Sequence, residues 1–255
     1  MDGAAETLPI LPPPFSLAAH DRVGSTSDEA KILAGNGAPH GRVVWAREQT
    51  GGRGRLNRRW VSPRGNLFTS VVLRPQVGPA RAAELGFVAA VAVARTIADC
   101  LPASSRVALK WPNDVLVEGA KIAGILLEAR SGPVDLVDWV VLGIGINVVA
   151  APDETPYPAT CLAQQGASSS VAGVLERLIR ELGSWVGRWE AEGFAPIRAA
   201  WLAQAHGLGE TVDIRHGGDP LSGRFLDLDR DGALILETPA GTRRITAGDV
   251  HFPAA

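Results

Sequence analysis

With 255 residues, 46% apolar side chains and a formal net charge of −2, the chain can bury one large core with a smaller unit beside it and is too apolar for global disorder. The near-neutral balance excludes a dedicated duplex-DNA binder, whose domain would be broadly basic. Cys100 and Cys161, the two cysteines, are too few and too far apart for a disulfide framework or a thiolate metal site.

In chain order, residues 1–14 carry Asp2, Glu6 and the run Pro12-Pro13-Pro14. They have neither the basic nor the apolar region of a signal peptide and read as a disordered lead-in. No apolar run reaches the roughly 18 residues that span a bilayer, so a cytoplasmic protein without membrane contact is expected. Thr26 and Glu29 have capping-box spacing ahead of a short helix that ends near Gly35 or Gly37. Arg42 to Ala46 reads as a strand that feeds a glycine–arginine loop, Gln49-Thr50-Gly51-Gly52-Arg53-Gly54-Arg55-Leu56-Asn57-Arg58-Arg59-Trp60.

Five arginines and no acid lie between Arg53 and Arg64. Glycine lets the backbone approach a ligand, guanidinium forks suit phosphate or carboxylate, and Trp60 offers a flat face for stacking. A like-charged glycine loop has little to hold it, so residues 51–60 are expected to move when empty. Taken alone, the stretch also fits a solvated surface loop or an RNA-binding arm.

Asn66 to Leu73 reads as a second strand. Pro79 to Leu101 has helical spacing of Leu85, Val88, Ala92 and Ile97. Val107 to Lys110, Lys121 to Glu128 and Trp139 to Val149 read as strands. Such close spacing predicts a mixed, largely antiparallel sheet with helices, an α+β fold. Val171 to Glu192 is an amphipathic helix with Val174, Leu178, Leu182 and Trp185 on one face, and Pro196 to Gln204 is another. Beyond Gly207, Thr211–Ile214, Gly223–Leu228, Ala233–Glu237 and Arg243–Ile245 alternate as short strands, with turns at Gly217-Gly218 and Asp231-Gly232. They predict a small β-barrel. The divisions are a lead-in over 1–14, a main domain over 15–206 and a β domain over 207–255.

Lys110-Trp111-Pro112-Asn113-Asp114 groups a cation, an amide and a carboxylate at a proline-set turn. It reads either as a hairpin corner or as Asp114 near Mg²⁺ with Lys110 near phosphate. Lys121 heads an apolar strand, either snorkelling at an edge or acting as a point charge on a developing anion. Gly124, Gly143 and Gly145 sit in strand-like runs where a backbone can be closely approached. Asn147 follows them and either closes a turn or meets a ligand. No P-loop, nucleophile-elbow or zincin motif is present, and His20, His40, His206, His216 and His251 show no ligand spacing.

Together Ser25-Thr26, Gln49 with Gly52-Arg53-Gly54-Arg55, Arg58 with Trp60, Lys110 to Asp114, Lys121 to Glu128 and Gly143-Ile144-Gly145-Ile146-Asn147 closely resemble the biotin–protein ligases, covering about residues 16–150 densely. The resemblance implies a class II synthetase-like catalytic domain with an SH3-like C-terminal barrel. It implies ATP-dependent formation of biotinyl-5′-AMP and transfer of biotin to a lysine of a biotin carboxyl carrier protein, with Mg·ATP and biotin as substrates and no tightly bound metal. Lys121, Arg53 and Arg55 would be catalytic. Ser25, Thr26, Ser27 and Gln49 would face the ureido ring, and Phe68, Gly124, Ile125, Leu126, Gly143 and Gly145 the apolar slot. Gly52, Arg53, Gly54 and Arg55 would wrap carboxylate and phosphate. On the nucleotide side would stand Arg55, Arg58, Trp60 beside the adenine, Lys110, Asn113, Lys121 and Asn147, with Asp114 as the Mg²⁺ candidate. Two departures stand out: Ser27 replaces the usual Asn, and Phe68 a common Tyr. The short N-terminal segment implies the monofunctional kind without operator DNA, with a homodimer left open. A lipoate–protein ligase of the same fold is the nearest rival, and an arginine-loop nucleic-acid module the non-enzymatic one.

Overall fold

The structure is a computed structural model that describes residues 8–153, 155–215 and 221–252. Its first strands are β1 (Ser16–Val23), β2 (Arg42–Gln49), β3 (Leu67–Leu73), β4 (Val107–Lys110), β5 (Asp114–Val117), β6 (Ala120–Ser131) and β7 (Val137–Ile146). They form one sheet in the order β1-β2-β3-β7-β6-β5-β4. Only β1 and β2 run parallel; the other neighbours are antiparallel. The parallel pair needs a crossover, and α1 (Thr26–Gly35) lies within it. The expected mixed, largely antiparallel sheet is therefore present.

The two faces of the sheet do different work. One is covered by α2 (Pro79–Ala83), α3 (Leu85–Ala98), α4 (Val171–Glu192) and α5 (Ala195–Leu202). α3 is so rich in Ala and Val that ten of its residues are buried, as suits a helix enclosed on several sides. On α4, Val174, Leu178, Leu182, Val186 and Trp189 are buried at three- and four-residue spacing, and Ser170 caps the helix by accepting from Gly173 N. The opposite face carries α1 over a smaller cluster of Ala30, Ala34, Val44, Val72, Trp139 and Val141. The site lies on this second face.

The last strands are β8 (Thr211–Arg215), β9 (Leu221–Leu228), β10 (Leu234–Thr238), β11 (Gly241–Ile245) and β12 (Asp249–His251). They make an antiparallel sheet in the open order β11-β10-β9-β8-β12. Gly232, at φ +82°, makes the turn expected at Asp231-Gly232; the turn expected at Gly217-Gly218 lies outside the described residues. This sheet shares its core with the main domain. Trp201 packs edge-on against Phe87 (5.9 Å) and Phe225 (6.4 Å), and Trp111 Nε1 donates to Gly232 O at 3.1 Å.

Several expectations need correction. Residues 8–14 are not a free lead-in: Pro9 is buried and Ile10 N donates to Glu176 Oε1 of α4 at 2.8 Å. β1, β5 and β12 were not anticipated, because β1 alternates weakly and the other two have four and three residues. The helix expected over Pro79–Leu101 divides at Glu84, which accepts a hydrogen bond from Trp189 Nε1 at 2.6 Å. Among the described residues no helix is long and apolar enough to cross a membrane.

Candidate active site

The floor follows from strand alternation. Successive residues of β7 point to opposite faces, so Leu142, Ile144 and Ile146 enter the main core while Gly143 and Gly145 face the other way. A Cβ on Gly143 would stand 2.6 Å from Ser27 Oγ, and one on Gly145 2.6 Å from Trp60 Nε1. On the neighbouring β6, a Cβ on Gly124 would meet the Trp60 ring at 3.0 Å. Glycine therefore makes room on this floor for both α1 and the indole.

One end is lined by uncharged polar groups. Ser25, Thr26 and Ser27, at the start of α1, are all buried. Gln49 Oε1 accepts from Thr26 N (2.7 Å) and Thr26 Oγ1 (3.0 Å), and its Nε2 donates to Ser62 Oγ (3.0 Å). Ser70 Oγ donates to Thr26 Oγ1 (2.9 Å) and lies 3.1 Å from Ser27 Oγ. The expected capping box is absent: Ser25 is the N-cap residue and has no side-chain cap bond. Gln49 satisfies the first amide instead.

The glycine–arginine loop folds over this floor. Its root is closed by Trp60 N to Gly52 O (2.9 Å) and Gly54 N to Arg58 O (2.8 Å), and Leu56 and Asn57 turn with positive φ. Acids from elsewhere in the chain hold its arginines. Arg53 makes a two-pronged contact with Asp28 (2.7 and 2.5 Å). Arg58 pairs with Asp249, and Arg55 lies 3.5 Å from that carboxylate. The Arg53 contact, with Lys31 at 3.0 Å, holds the Asp28 carboxyl at a pKa of about 2.

The other end is cationic. Lys121 Nζ pairs with Asp114 Oδ1 at 2.7 Å, both groups being largely buried, and stands over the rings of Trp60 (5.5 Å) and Tyr157 (5.3 Å). Asn113 is fixed by donating to Ile125 O (2.8 Å) and accepts from Arg55 Nη1 (3.3 Å). Lys110 lies over Tyr157 (6.0 Å) and Phe252 (5.9 Å). Burial lowers its pKa, with Asp114 opposing and Lys121 adding to the effect. Two adjoining cavities result, of about 80 and 1110 Å³, sharing Arg55, Arg58, Trp60, Asp114, Lys121 and Tyr157.

Residues 21–147 match the biotin/lipoate A/B protein ligase family and residues 207–252 the biotin protein ligase C-terminal domain. The chain is 44% identical over 239 residues to a biotin–[acetyl-CoA-carboxylase] ligase from Paracoccus denitrificans, covering 91% of this chain and 98% of that one. The chain belongs to the biotin–protein ligase family. Its fold is similar to that of the Aquifex aeolicus biotin protein ligase in complex with biotin and ATP, with a TM-score of 0.78 and 27% identity over 92% of this chain and 97% of that one. It is also similar to the Leishmania major enzyme in complex with biotinyl-5-AMP, with a TM-score of 0.66 and 26% identity over 92% of this chain and all of the other.

In this biotin–protein ligase the expected residues do not all reach the smaller cavity. Ser25, Thr26, Ser27, Gln49, the four loop arginines (Arg53, Arg55, Arg58 and Arg59), Gly54, Asn113, Lys121 and the floor glycines border it, as does Leu126. Gly52 stands behind its wall, where a Cβ would strike Ser62 Oγ at 2.5 Å and Trp60 O at 2.6 Å. Phe68 is buried and borders neither cavity. Ile125 touches the cavity edge, but its side chain belongs to the main core. Trp60, expected beside adenine, lies on the glycine floor and borders both cavities, and its Nε1 is buried without a partner. Asn147 borders the larger cavity, with its side-chain amide committed to Thr160 O at 3.0 Å. Asp114 faces Lys121 rather than a ligand cluster; among the described residues no three His, Cys, Asp or Glu are grouped to hold a metal.

Sequence reasoning missed Asp28, Tyr157 and Asp249. Tyr157, the single tyrosine of the chain, sits between two prolines and gave no periodic signal. Asp28 and Asp249 become visible only once folding brings them 25 and 191 residues across the chain to Arg53 and Arg58. They also remove the premise that the cationic loop has little to hold it.

Proposed function

We propose that this enzyme joins biotin to ATP, giving biotinyl-5′-AMP and pyrophosphate, and then passes the biotinyl group to a lysine of a biotin carboxyl carrier protein. The observation that carries the assignment of roles is the ordering along one groove: an uncharged hydrogen-bonding end, a glycine floor, then a cluster of permanent cations. Such a groove suits a ligand with a polar neutral head, an apolar stem and an anionic tail.

The Gln49–Thr26–Ser70–Ser27 network would meet the ureido ring, exchanging its internal hydrogen bonds for ones to the ligand. Gly124, Gly143 and Gly145 would floor the slot for the stem. Trp60 would have to lift from that floor to admit it. Arg53, Arg55 and Lys121 would surround the carboxylate and α-phosphate, with Arg58, Lys110 and Asn113 further along the nucleotide. Lys121 exchanges Asp114 for the ligand's oxygens, so its charge is offset in both states. Asn147 would act indirectly, by pinning the wall through Thr160. Magnesium would arrive with the nucleotide phosphates, as is usual for that ion.

In the first step a biotin carboxylate oxygen attacks the α-phosphorus and pyrophosphate leaves. In the second the carrier amine attacks the acyl carbon and AMP leaves. Neither step needs a protein nucleophile; orientation and preorganised charge suffice.

The test is pyrophosphate release from ATP with biotin or lipoate, followed by label transfer to a carrier domain. Release with biotin alone, and labelling of one carrier lysine, is expected. Release with lipoate alone would move the chain to the rival substrate.

A further inference from the structure

On the function proposed above, Arg53 turns to the ligand's carboxylate and α-phosphate, yet both of its terminal nitrogens are already spent. Nη1 donates to Asp28 Oδ2 at 2.7 Å and Nη2 to Oδ1 at 2.5 Å. Arg53 borders the smaller cavity, whereas Asp28 borders neither cavity. To meet an anion with its fork, Arg53 must give Asp28 up, and the attraction between the two is then lost.

The residues behind Asp28 show how that loss is offset. Lys31, one turn along α1, places Nζ 3.0 Å from Asp28 Oδ1 and 2.7 Å from Glu128 Oε1 of β6. Lys31 and Glu128 border neither cavity. The row Arg53–Asp28–Lys31–Glu128 alternates cation and anion, so its formal charges cancel. With Arg53 turned away, Lys31 is left between the two carboxylates and keeps Asp28 paired. Asp28 itself stays ionised near neutral pH, its carboxyl being held at about 2. It also follows Ser25-Thr26-Ser27 directly, so the helix end that faces the polar head carries the acid to be released.

We propose that Lys31 is a positioning residue for the first step: it takes over Asp28 when Arg53 swings to the bound anion, and so governs how readily that arginine is released. The inference rests on the reading that Arg53 meets the ligand's carboxylate. Lys31 lowers the cost of the exchange without touching the ligand, and Glu128 holds its ammonium in place throughout. Removing that ammonium tightens the hold of Asp28 on Arg53 in the empty protein and strands Asp28 in the loaded one. Both effects disfavour binding. Removing the Asp28 charge as well cancels both.

The experiment measures biotin Kd by titration calorimetry and ATP-dependent pyrophosphate release on the full chain, as wild type, Lys31→Gln, Asp28→Asn and the double variant. Lys31→Gln should weaken biotin about three- to fivefold, the scale of one partly exposed ion pair, and raise KM for biotin more than it lowers kcat. Lys31→Arg, which keeps the charge, should bind as wild type does. In the Asp28→Asn background Lys31→Gln should change nothing, whereas a role confined to docking α1 on β6 through Glu128 would persist there. An unchanged Kd in Lys31→Gln, or the same loss with and without Asp28, overturns the proposal. Absence of biotin-dependent pyrophosphate release from wild type counts against the adenylation reading instead. Titrating the same variants with inorganic pyrophosphate, a bare anion for Arg53, then decides on Lys31 by the same comparison.

Discussion

Replacing Gly145 by alanine tests the glycine floor directly. The added methyl would stand 2.6 Å from Trp60 Nε1 and Cε2 and 2.8 Å from Cζ2, whereas unstrained carbon contacts lie near 3.5–4.0 Å. The indole must therefore retreat by about 1 Å, on the same contact scale. It has little slack, since its ring also meets the Gly124 face and its backbone N is tied to Gly52 O at 2.9 Å. Forcing a methylene-sized group into a packed site costs about 1–3 kcal/mol, and the clash with Trp60 puts that cost on the unliganded protein, so its unfolding temperature should fall. The methyl also occupies the slot that the biotin stem would take once Trp60 lifts, so biotin binding should weaken. Titration calorimetry with biotin, beside an unfolding scan, reads both quantities. Gly187→Ala is the control: it lies exposed on α4 with no atom within 4 Å of a new Cβ, should keep biotin affinity, and should gain about 0.5–1 kcal/mol of stability. Biotin affinity of Gly145→Ala within twofold of wild type would refute the argument that Gly145 floors the ligand slot.

Lys121→Ala should slow adenylation by about 2–4 kcal/mol in the transition state, the scale of a lost oxyanion donor; rapid-quench pyrophosphate release near the wild-type rate would remove Lys121 from the chemistry. Arg55→Ala should leave the fold intact and release biotinyl-5′-AMP faster, read as the loss of bound adenylate over time, and unchanged leakage would contradict its place in the lid. The Asp28 carboxyl is held at about 2, below its ordinary 3.8, so the stabilisation it supplies is complete above about pH 4 and is lost as pH falls towards 2. Asp28→Asn should flatten that acid limb in a stability-versus-pH series. The step is small because Asp28 and Arg53 are both partly exposed, and an identical acid limb in the variant would show that the pair contributes nothing.

What could be read from the chain alone follows from how local each signal is. The α4 helix was legible to the residue because its apolar positions repeat over 22 residues. The β9–β10 hairpin was legible because its turn at Asp231-Gly232 needs left-handed backbone at Gly232. β1 was missed since its residues are mostly half-buried and include His20, Asp21 and Arg22, so no alternation marks it. In the site, the motif residues were visible as residue types, while their pairings were not. Nothing in the spacing of Arg58 announces Asp249, and nothing in Gly145 announces that Trp60 rests on it. The apparent surplus of positive charge in the loop was a property of a window of sequence. Folding supplies the balancing acids from α1 and β12.

That β12 contact has a consequence for damaged molecules. The carboxylate that fastens Arg58 and faces Arg55 belongs to the last described strand. A polypeptide clipped before residue 249 would keep the groove and most of its ligand-facing groups, yet lose the clasp on its cover. The same clip would take Val250 out of the core and the Phe252 ring away from Lys110, so the end of the chain serves the cover, the packing and the cationic end of the groove at once.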